Sequence, residues 1–352
     1  MICLSAVPAF WLSTYHPDNI ETERVFCDPL TPALPVDRHI KILNWNVQYM
    51  AGKKHVFFYD TPDGSGPDTR PEARDVQQTM QAVIQIIRHE NPDIILLQEL
   101  DDEAARTDYL DQLQSLLSTM GKDYPCHTST FYWKAAFVPH PKIMGSVGMK
   151  LAIISKYRIS KALRYQLPLM PHNFFVRHLQ FKRAILEAIL PSEDGSAVSI
   201  MTTHLDAFAQ GTNTMQEQVA FVDSLLSQKN KAKIPWIIGG DFNLLPPGFA
   251  RDLLTQENRV LYSAHTEIQP LFGQYQVFPT PQQLNGTDRS KYFTHFPNNG
   301  DAPDRTIDYF FVSPQFKTTG FAVRQFDTQQ ISDHFPLVMV LKRDQYKTRD
   351  MH

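Results

Sequence analysis

Apolar residues along the chain fall into short unbroken runs and longer periodic stretches, and the two patterns alternate. Ile40-Lys-Ile-Leu-Asn-Trp-Asn-Val47 and Asp93-Ile-Ile-Leu-Leu-Gln98 are apolar runs of strand length. Between them Val76, Met80, Val83, Ile84 and Ile87 recur at helical spacing, which predicts a helix over 73–90 closed by Pro92. A second helical segment is expected near 107–120. The second half repeats the alternation: Leu151–Ser155, Phe181–Leu190, Val198–His204, Trp236–Gly240, Thr306–Val312 and Pro336–Leu341 read as strands. Met215, Val219, Val222, Leu225 and Leu226 predict a helix over 213–228. Many strands with a few interspersed helices predict an α/β fold in which sheets pack on each other and helices cover them. Residues 50–72 and 263–305 read as long loops, a length that in a packed domain usually serves function or motion.

The domain is expected over residues 39–343. Ahead of it, residues 1–38 are acidic and carry Pro29, Pro32 and Pro35, each of which blocks a helix, so they read as an extended strap. Within the strap the apolar Ile2–Leu12 stretch is short and lacks a basic segment before it; it reads as a packing arm rather than a secretory signal. Residues 344–352 are left as a short tail. Nothing reaches the roughly 18 uninterrupted apolar residues that a membrane span requires, and the expected location is cytoplasmic.

Composition narrows the class. The 352 residues are 42% hydrophobic and 20% charged, a globular balance. The net charge is −3, and residues 1–36 carry all of it, leaving the remainder neutral. A protein that lives on phosphate backbones usually has a strong Lys and Arg excess, so obligate nucleic-acid binding is disfavoured. Three widely spaced cysteines, Cys3, Cys27 and Cys126, suggest neither a disulfide framework nor a zinc cluster and suit a reducing compartment.

Candidate chemistry lies where the apolar runs stop. Asn46 ends the first strand, Glu99 follows the second, and His204 ends Met-Thr-Thr-His. Asp241 and Asn243 follow Trp-Ile-Ile-Gly-Gly, Asp308 stands in Thr-Ile-Asp-Tyr, and Asp333-His334 precede Phe-Pro-Leu-Val. Taken singly, each has a structural explanation as a turn-former or a hydrogen-bonded surface group. Glu99 between leucines resists that explanation, because a carboxylate in so apolar a setting needs a partner. Sheets bring strand ends together, and a crevice gathering these groups would demand a cation or mutual pairing to offset desolvation.

The set of motifs resembles the endonuclease/exonuclease/phosphatase superfamily of deoxyribonuclease-I-like metal-dependent phosphoesterases. Asn-Trp-Asn-Val, Leu-Gln-Glu, Thr-His-Leu, Gly-Asp-Phe-Asn, Ile-Asp-Tyr and Ser-Asp-His carry the resemblance, in this order, over most of residues 39–342. It implies a four-layer α/β sandwich, two packed mainly antiparallel sheets flanked by helices, with the site at one end. It also implies that Glu99 is the principal ligand of Mg²⁺ (or Mn²⁺), with Asn46 and Asp333 nearby, since hard oxygen donors suit such an ion. By the same resemblance Asp308 would orient His334, and His334 would activate water or stabilise developing charge. Asp241 would orient or deprotonate the attacking water, while His204 and Asn243 donate to non-bridging oxygens. Arg183 occupies a position where some members grip phosphate, with a surface strand charge as the alternative; Lys150 is a weaker candidate for the same cleft.

Departures from the family bear on substrate. Apurinic-site nucleases carry an acidic residue where this chain has Gln48, and they usually lack the histidine that stands here as His204. Thr-His-Leu-Asp-Ala is closer to the neutral-sphingomyelinase branch, and Gly-Asp-Phe-Asn-Leu-Leu lacks the basic residue of inositol-polyphosphate phosphatases. The Phe131-Tyr132-Trp133 cluster, taken as a loop, could meet a membrane surface, stack bases or pack the core, with Trp133 as a substrate contact. The expected activity is therefore hydrolysis of a lipid or small phosphoester. A metal-dependent nuclease and a non-catalytic binding protein on the same scaffold are the alternatives, and nothing points to an obligate protein partner.

Overall fold

Two seven-stranded sheets stack face to face in a computed structural model that describes residues 13–61, 63–207 and 209–344. In chain order the strands are β1 (Ile20–Glu23), β2 (Val25–Cys27), β3 (Ile40–Asn46), β4 (Ile94–Asp101), β5 (Cys126–Val138), β6 (Gly145–Ser155) and β7 (Lys161–Gln166). The rest are β8 (Ala184–Pro191), β9 (Ala197–His204), β10 (Trp236–Asp241), β11 (Gln276–Phe278), β12 (Asp308–Val312), β13 (Phe316–Val323) and β14 (Leu337–Arg343). One sheet runs β13-β14-β3-β4-β6-β5-β2 and the other β1-β7-β8-β9-β10-β12-β11. Each contains one parallel pair, β3 with β4 and β9 with β10; every other neighbour is antiparallel.

The parallel pairs exist because a helix crosses between their strands. Helix α1 (Ala73–Glu90) joins β3 to β4, and its Val76, Val83 and Ile87 pack with α2 (Gln112–Met120) on the outer face of the first sheet, against Leu43, Ile95 and Leu97. A short α3 (Phe174–Leu179) follows β7, and α4 (Thr214–Lys231) joins β9 to β10, burying Val219, Val222 and Leu226 against Met201, Ile238 and Phe311. Between the sheets Ile42, Leu96 and Ile153 meet Leu186, Ile200 and Phe310. The result is the expected four-layer sandwich, helix on sheet on sheet on helix.

Several expectations need correction. The strap is not outside the sheets: β1 pairs with β7 and β2 with β5, so residues 20–27 close one edge of each sheet. The Ile2–Leu12 arm lies outside the described residues, as does all of the tail but Asp344. Cys27 and Cys126, opposite each other on β2 and β5, form a disulfide, a pairing the wide spacing of the cysteines did not suggest. The second helical segment splits: a 3₁₀ turn covers Ala105–Thr107, Asp108 and Tyr109 adopt positive φ, and the helix begins only after Asp111, whose carboxylate caps the Gln114 N–H. The Phe131-Tyr132-Trp133 cluster is not a loop but the middle of β5. Among the described residues, no helix is long and apolar enough to cross a membrane.

Candidate active site

The two parallel pairs end side by side. Asn46 closes β3 and His204 and Asp241 close β9 and β10 in register, while Glu99 stands near the end of β4. Asp308 opens β12 opposite Asp241, and Asp333-His334 lead into β14 beside β3. Strand ends from both sheets therefore line one cleft of about 770 Å³ with Glu99, His204, Asp241, Asn243, Asp333 and His334, and Asn46 and Asp308 bond to members of that lining.

Local irregularities aim these groups. A bulge interrupts the β4–β6 pairing between Leu97 and Leu100, and Glu99 within it adopts φ +60°. The extra residue frees Glu99 from strand alternation while Leu97 and Leu100 both stay against the helices. Asn243, at φ +52°, turns back so that its N–H reaches Asp241 Oδ1 (3.0 Å) and its Nδ2 donates to the Leu205 carbonyl (3.2 Å).

The contacts form one network. Asn46 Nδ2 donates to Glu99 Oε1 (3.0 Å) and to Asp241 Oδ2 (3.1 Å). His334 Nδ1 lies 2.8 Å from Asp308 Oδ2, and its Nε2 faces Asp241 Oδ2 at 3.6 Å. His204 Nε2 lies 3.3 Å from the same Asp241 oxygen, and its Nδ1 lies 3.7 Å from Glu99 Oε1. Asp333 lines the cleft next to His334.

Burial drives the titration of these groups in opposite directions. It opposes charge on His334, yet the carboxylates of Asp308 and Asp241 overcome it and hold the imidazolium well above the ordinary histidine range. His204 has no such rescue: burial, then the charges of Arg183 and His334, push it well below that range. Asp241 is pushed up to about 7 by burial, reinforced by Asp308 and Glu99. Asp333 is likewise pushed up to about 7, by burial with Glu99 and Asp60 adding.

A divalent cation fits this donor set. Burial makes Asp241 and Asp333 costly to ionise, and among the described ion pairs Glu99 meets His204 but no lysine or arginine. The donors are oxygens, as a hard cation prefers. Two further clusters, Asp241 with Asp308 and His334, and Asp333 with His295 and His334, bring ligand atoms close enough to share an ion.

Of the weaker candidates, Arg183 and Trp133 line the cleft. Arg183 Nε reaches Asp206 Oδ1 (3.2 Å) while its Nη1 is buried without a partner. Trp133 Nε1 donates to the Leu179 carbonyl (2.8 Å), and of the aromatic triplet Tyr132 is fully buried while Phe131 and Trp133 are half-buried. Lys150 is a correction. On β6, Met149 and Leu151 face between the sheets, so Lys150 points to the outer side, where it pairs with Asp102.

Sequence reasoning missed Asp60, His295 and Asp206, all of which line the cleft. Asp60 and His295 sit in the two long loops, and length was their only signal. Asp60 accepts from the Phe57 N–H (2.8 Å) and Asn298 Nδ2 (2.9 Å) and is pushed up to about 6 by burial. His295 stands edge-on to His334 with ring centroids 5.0 Å apart.

Sheets of this topology with a strand-end cluster of carboxylates, carboxamides and imidazoles define a deoxyribonuclease-I-like α/β sandwich. The family model described as "Endonuclease/Exonuclease/phosphatase family" matches residues 43–334, and the chain belongs to that family. Its members are hydrolases of phosphoester bonds and are generally divalent-metal dependent. Among solved structures, an endonuclease/exonuclease/phosphatase from Beutenbergia cavernae is similar with a TM-score of 0.57 at 20% identity, over 87% of this chain and 72% of that one. The human Nocturnin catalytic domain with bound sulfate gives 0.55 at 19%, over 88% and 96%. A family protein from Leptotrichia buccalis gives 0.55 at 15%, over 86% and 99%. No curated protein matches the sequence. At these identities the likeness establishes the fold.

Proposed function

We propose that the chain is a divalent-metal-dependent phosphoesterase that hydrolyses a P–O bond of a small phosphoester by in-line attack of water. The observation that carries this reading is the Asp308-bonded His334 facing Asp241 in the same cleft as Glu99, with Asn46 bonded to both Glu99 and Asp241.

Glu99, with Asn46 and Asp333, would hold Mg²⁺ or Mn²⁺, which when bound supplies charge neutralisation on the phosphoryl oxygens. Asp241, pushed up to about 7, is poised to take a proton from water near neutral pH. His334 keeps its proton through Asp308 and offers Nε2–H to charge developing on the phosphoryl group. His204, kept neutral by burial, and the Asn243 carboxamide add hydrogen bonds without adding charge. The unpartnered Arg183 Nη1 is a further donor in the cleft.

A small ester is favoured over both polymers and bilayers. The chain has no cationic excess to follow a phosphate backbone. The Thr-His-Leu-Asp-Ala motif keeps a lipid ester as the alternative, but of the aromatic triplet that would meet a bilayer Tyr132 is buried and Trp133 is bonded to Leu179. The test is a substrate panel of p-nitrophenyl phosphate, bis(p-nitrophenyl) phosphate, sphingomyelin vesicles and plasmid DNA, each with Mg²⁺ or Mn²⁺ and with EDTA. Metal-dependent turnover of the small esters is expected. Faster cleavage of plasmid or vesicles overturns the choice of substrate, and inertness toward every ester leaves a binding protein on this scaffold.

A further inference from the structure

Asp206, Gln218 and Arg183 form a chain of hydrogen bonds that runs from a helix into the cleft. Asp206 lies two residues past His204, just beyond the end of β9, and lines the cleft. Its Oδ1 accepts from Arg183 Nε (3.2 Å). Its Oδ2 accepts from Gln218 Nε2 (2.7 Å), and the Asp206 N–H donates back to Gln218 Oε1 (3.0 Å). Gln218 is fully buried on α4, and its Nε2 also donates to the Pro168 carbonyl (2.8 Å). One carboxamide, with both amide hydrogens used, therefore fixes the Asp206 carboxylate and backbone together.

Arg183 is held differently from other arginines of the cleft. Arg106 and Arg305 also line it. Each gives Nε and Nη2 to one aspartate, Asp101 for Arg106 (2.8 and 2.9 Å) and Asp304 for Arg305 (both 2.7 Å), and Nη1 to a tyrosine hydroxyl. Those guanidiniums are saturated, through the two-bond geometry in which an arginine–carboxylate pair is strongest. Arg183 is not. Asp206 takes it by Nε alone, and Phe181 at 4.2 Å and Tyr132 at 5.1 Å flank its guanidinium. Its Nη2 has no partner among the described residues and is not enclosed. A single bond returns little against the desolvation of two buried charges. What the side-on hold does provide is a guanidinium fixed in place with one end left for an outside anion.

That guanidinium is joined to the reacting end of the cleft by two contacts. The Tyr132 ring lies 5.6 Å from the His204 ring, with its hydroxyl 3.4 Å from His204 Nδ1. His204 Nε2 in turn lies 3.3 Å from Asp241 Oδ2.

Resting on the phosphoesterase reading of this cleft, we propose that Asp206 is a positioning residue: braced by Gln218, it holds Arg183 by Nε so that the guanidinium grips a non-bridging oxygen of the substrate phosphoryl group. Asp206 itself touches no reacting atom. Gln218 acts one step further out, carrying the position of α4 to the anion.

The test is the affinity for inorganic phosphate, titrated calorimetrically into the full chain with Mg²⁺. Arg183→Ala and Asp206→Ala should each weaken it about 10-fold or more, the scale of one charge-assisted hydrogen bond. In the double variant the losses do not multiply: phosphate binds within about 3-fold of Arg183→Ala, because both substitutions remove the same grip. Arg183→Lys leaves Asp206 and Gln218 untouched and keeps the charge, but an ammonium cannot be held by Asp206 and reach the anion as a fork does. It should bind phosphate as weakly as Arg183→Ala. Losses that multiply to about 100-fold make Asp206 a structural residue and overturn the inference. Unchanged affinity in Asp206→Ala, parent-like affinity in Arg183→Lys, or a parent with no measurable affinity for phosphate also overturns it. If Asp206→Ala does not fold, Arg183→Lys decides alone. The expected pattern in a protein inert toward every ester contradicts only the enzymatic reading, and ester turnover alongside unaltered affinity in Asp206→Ala contradicts only the positioning role.

Discussion

For His334, His204, Asp241 and Asp333 the titration is set by burial together with charged neighbours, one of which can be removed without touching the group itself. Asp308 is that neighbour for His334, and Asp308→Asn removes the carboxylate that keeps the imidazolium protonated. The folded pKa of His334 then falls, so the alkaline limb of the kcat/KM profile moves to lower pH, and the rate at neutral pH drops by about 10²-fold. A pH–rate series on the variant checks this; an unmoved alkaline limb contradicts the assignment of the proton to His334. Lys182 gives a complementary test of stability. Its ammonium donates to the Arg177 carbonyl, and burial followed by the charges of Arg177 and Arg164 lowers it to about 8. Below that pH both folded and unfolded chains carry the proton and the fold bears the cost; between about 8 and the ordinary lysine value near 10.4 only the unfolded chain holds it, so stability rises with pH. Lys182→Met removes this dependence, and urea midpoints at pH 7.5 and 10 should show its largest advantage over the parent at the lower pH.

Elements position these groups through departures from regularity. The β4 bulge holds Glu99 at φ +60°, a conformation that glycine adopts without penalty. Glu99→Gly is therefore expected to leave the melting temperature unlowered while cutting hydrolysis about 10²-fold or more. A variant that loses both equally would make Glu99 a structural residue. How far the sequence reports such elements depends on how each signals itself. The strands β3, β4, β9 and β10 announce themselves as apolar runs because both faces are covered, and their polar end residues stand out against that background. Strand β5 does not. His127, Ser129 and Lys134 interrupt its apolar residues, leaving only an alternation of buried and half-buried positions that its aromatic triplet disguised. Edge strand β1 is mostly polar and β2 is only three residues long, so neither forms such a run, and Lys150 required the β6 parity to be counted outward from Leu151. The left-handed turn at Gln48–Met50 has no sequence signature, since none of its residues is glycine.

The whole molecule is a sandwich whose two helix-crossed parallel pairs open toward the same end, which is why residues as far apart as Asn46 and His334 share one network. Its edge is closed covalently by Cys27–Cys126, whose partners lie 99 residues apart, too distant for spacing to reveal the pairing. With three cysteines in the chain, denatured unreduced protein should titrate one free thiol; three would contradict the bond. Cys27→Ser should cost about 2–4 kcal/mol of stability with little effect on rate. The account's central claim is that these convergent side chains and one divalent cation act as a single hydrolytic unit. The most direct measurement is the rate of bis(p-nitrophenyl) phosphate hydrolysis by parent and His334→Ala proteins, each with Mg²⁺ and with excess EDTA. EDTA and the substitution should each lower the rate about 10²-fold or more, and together little further, because groups acting as a unit are not additive; full hydrolysis by the parent in EDTA, or by His334→Ala with Mg²⁺, would contradict it.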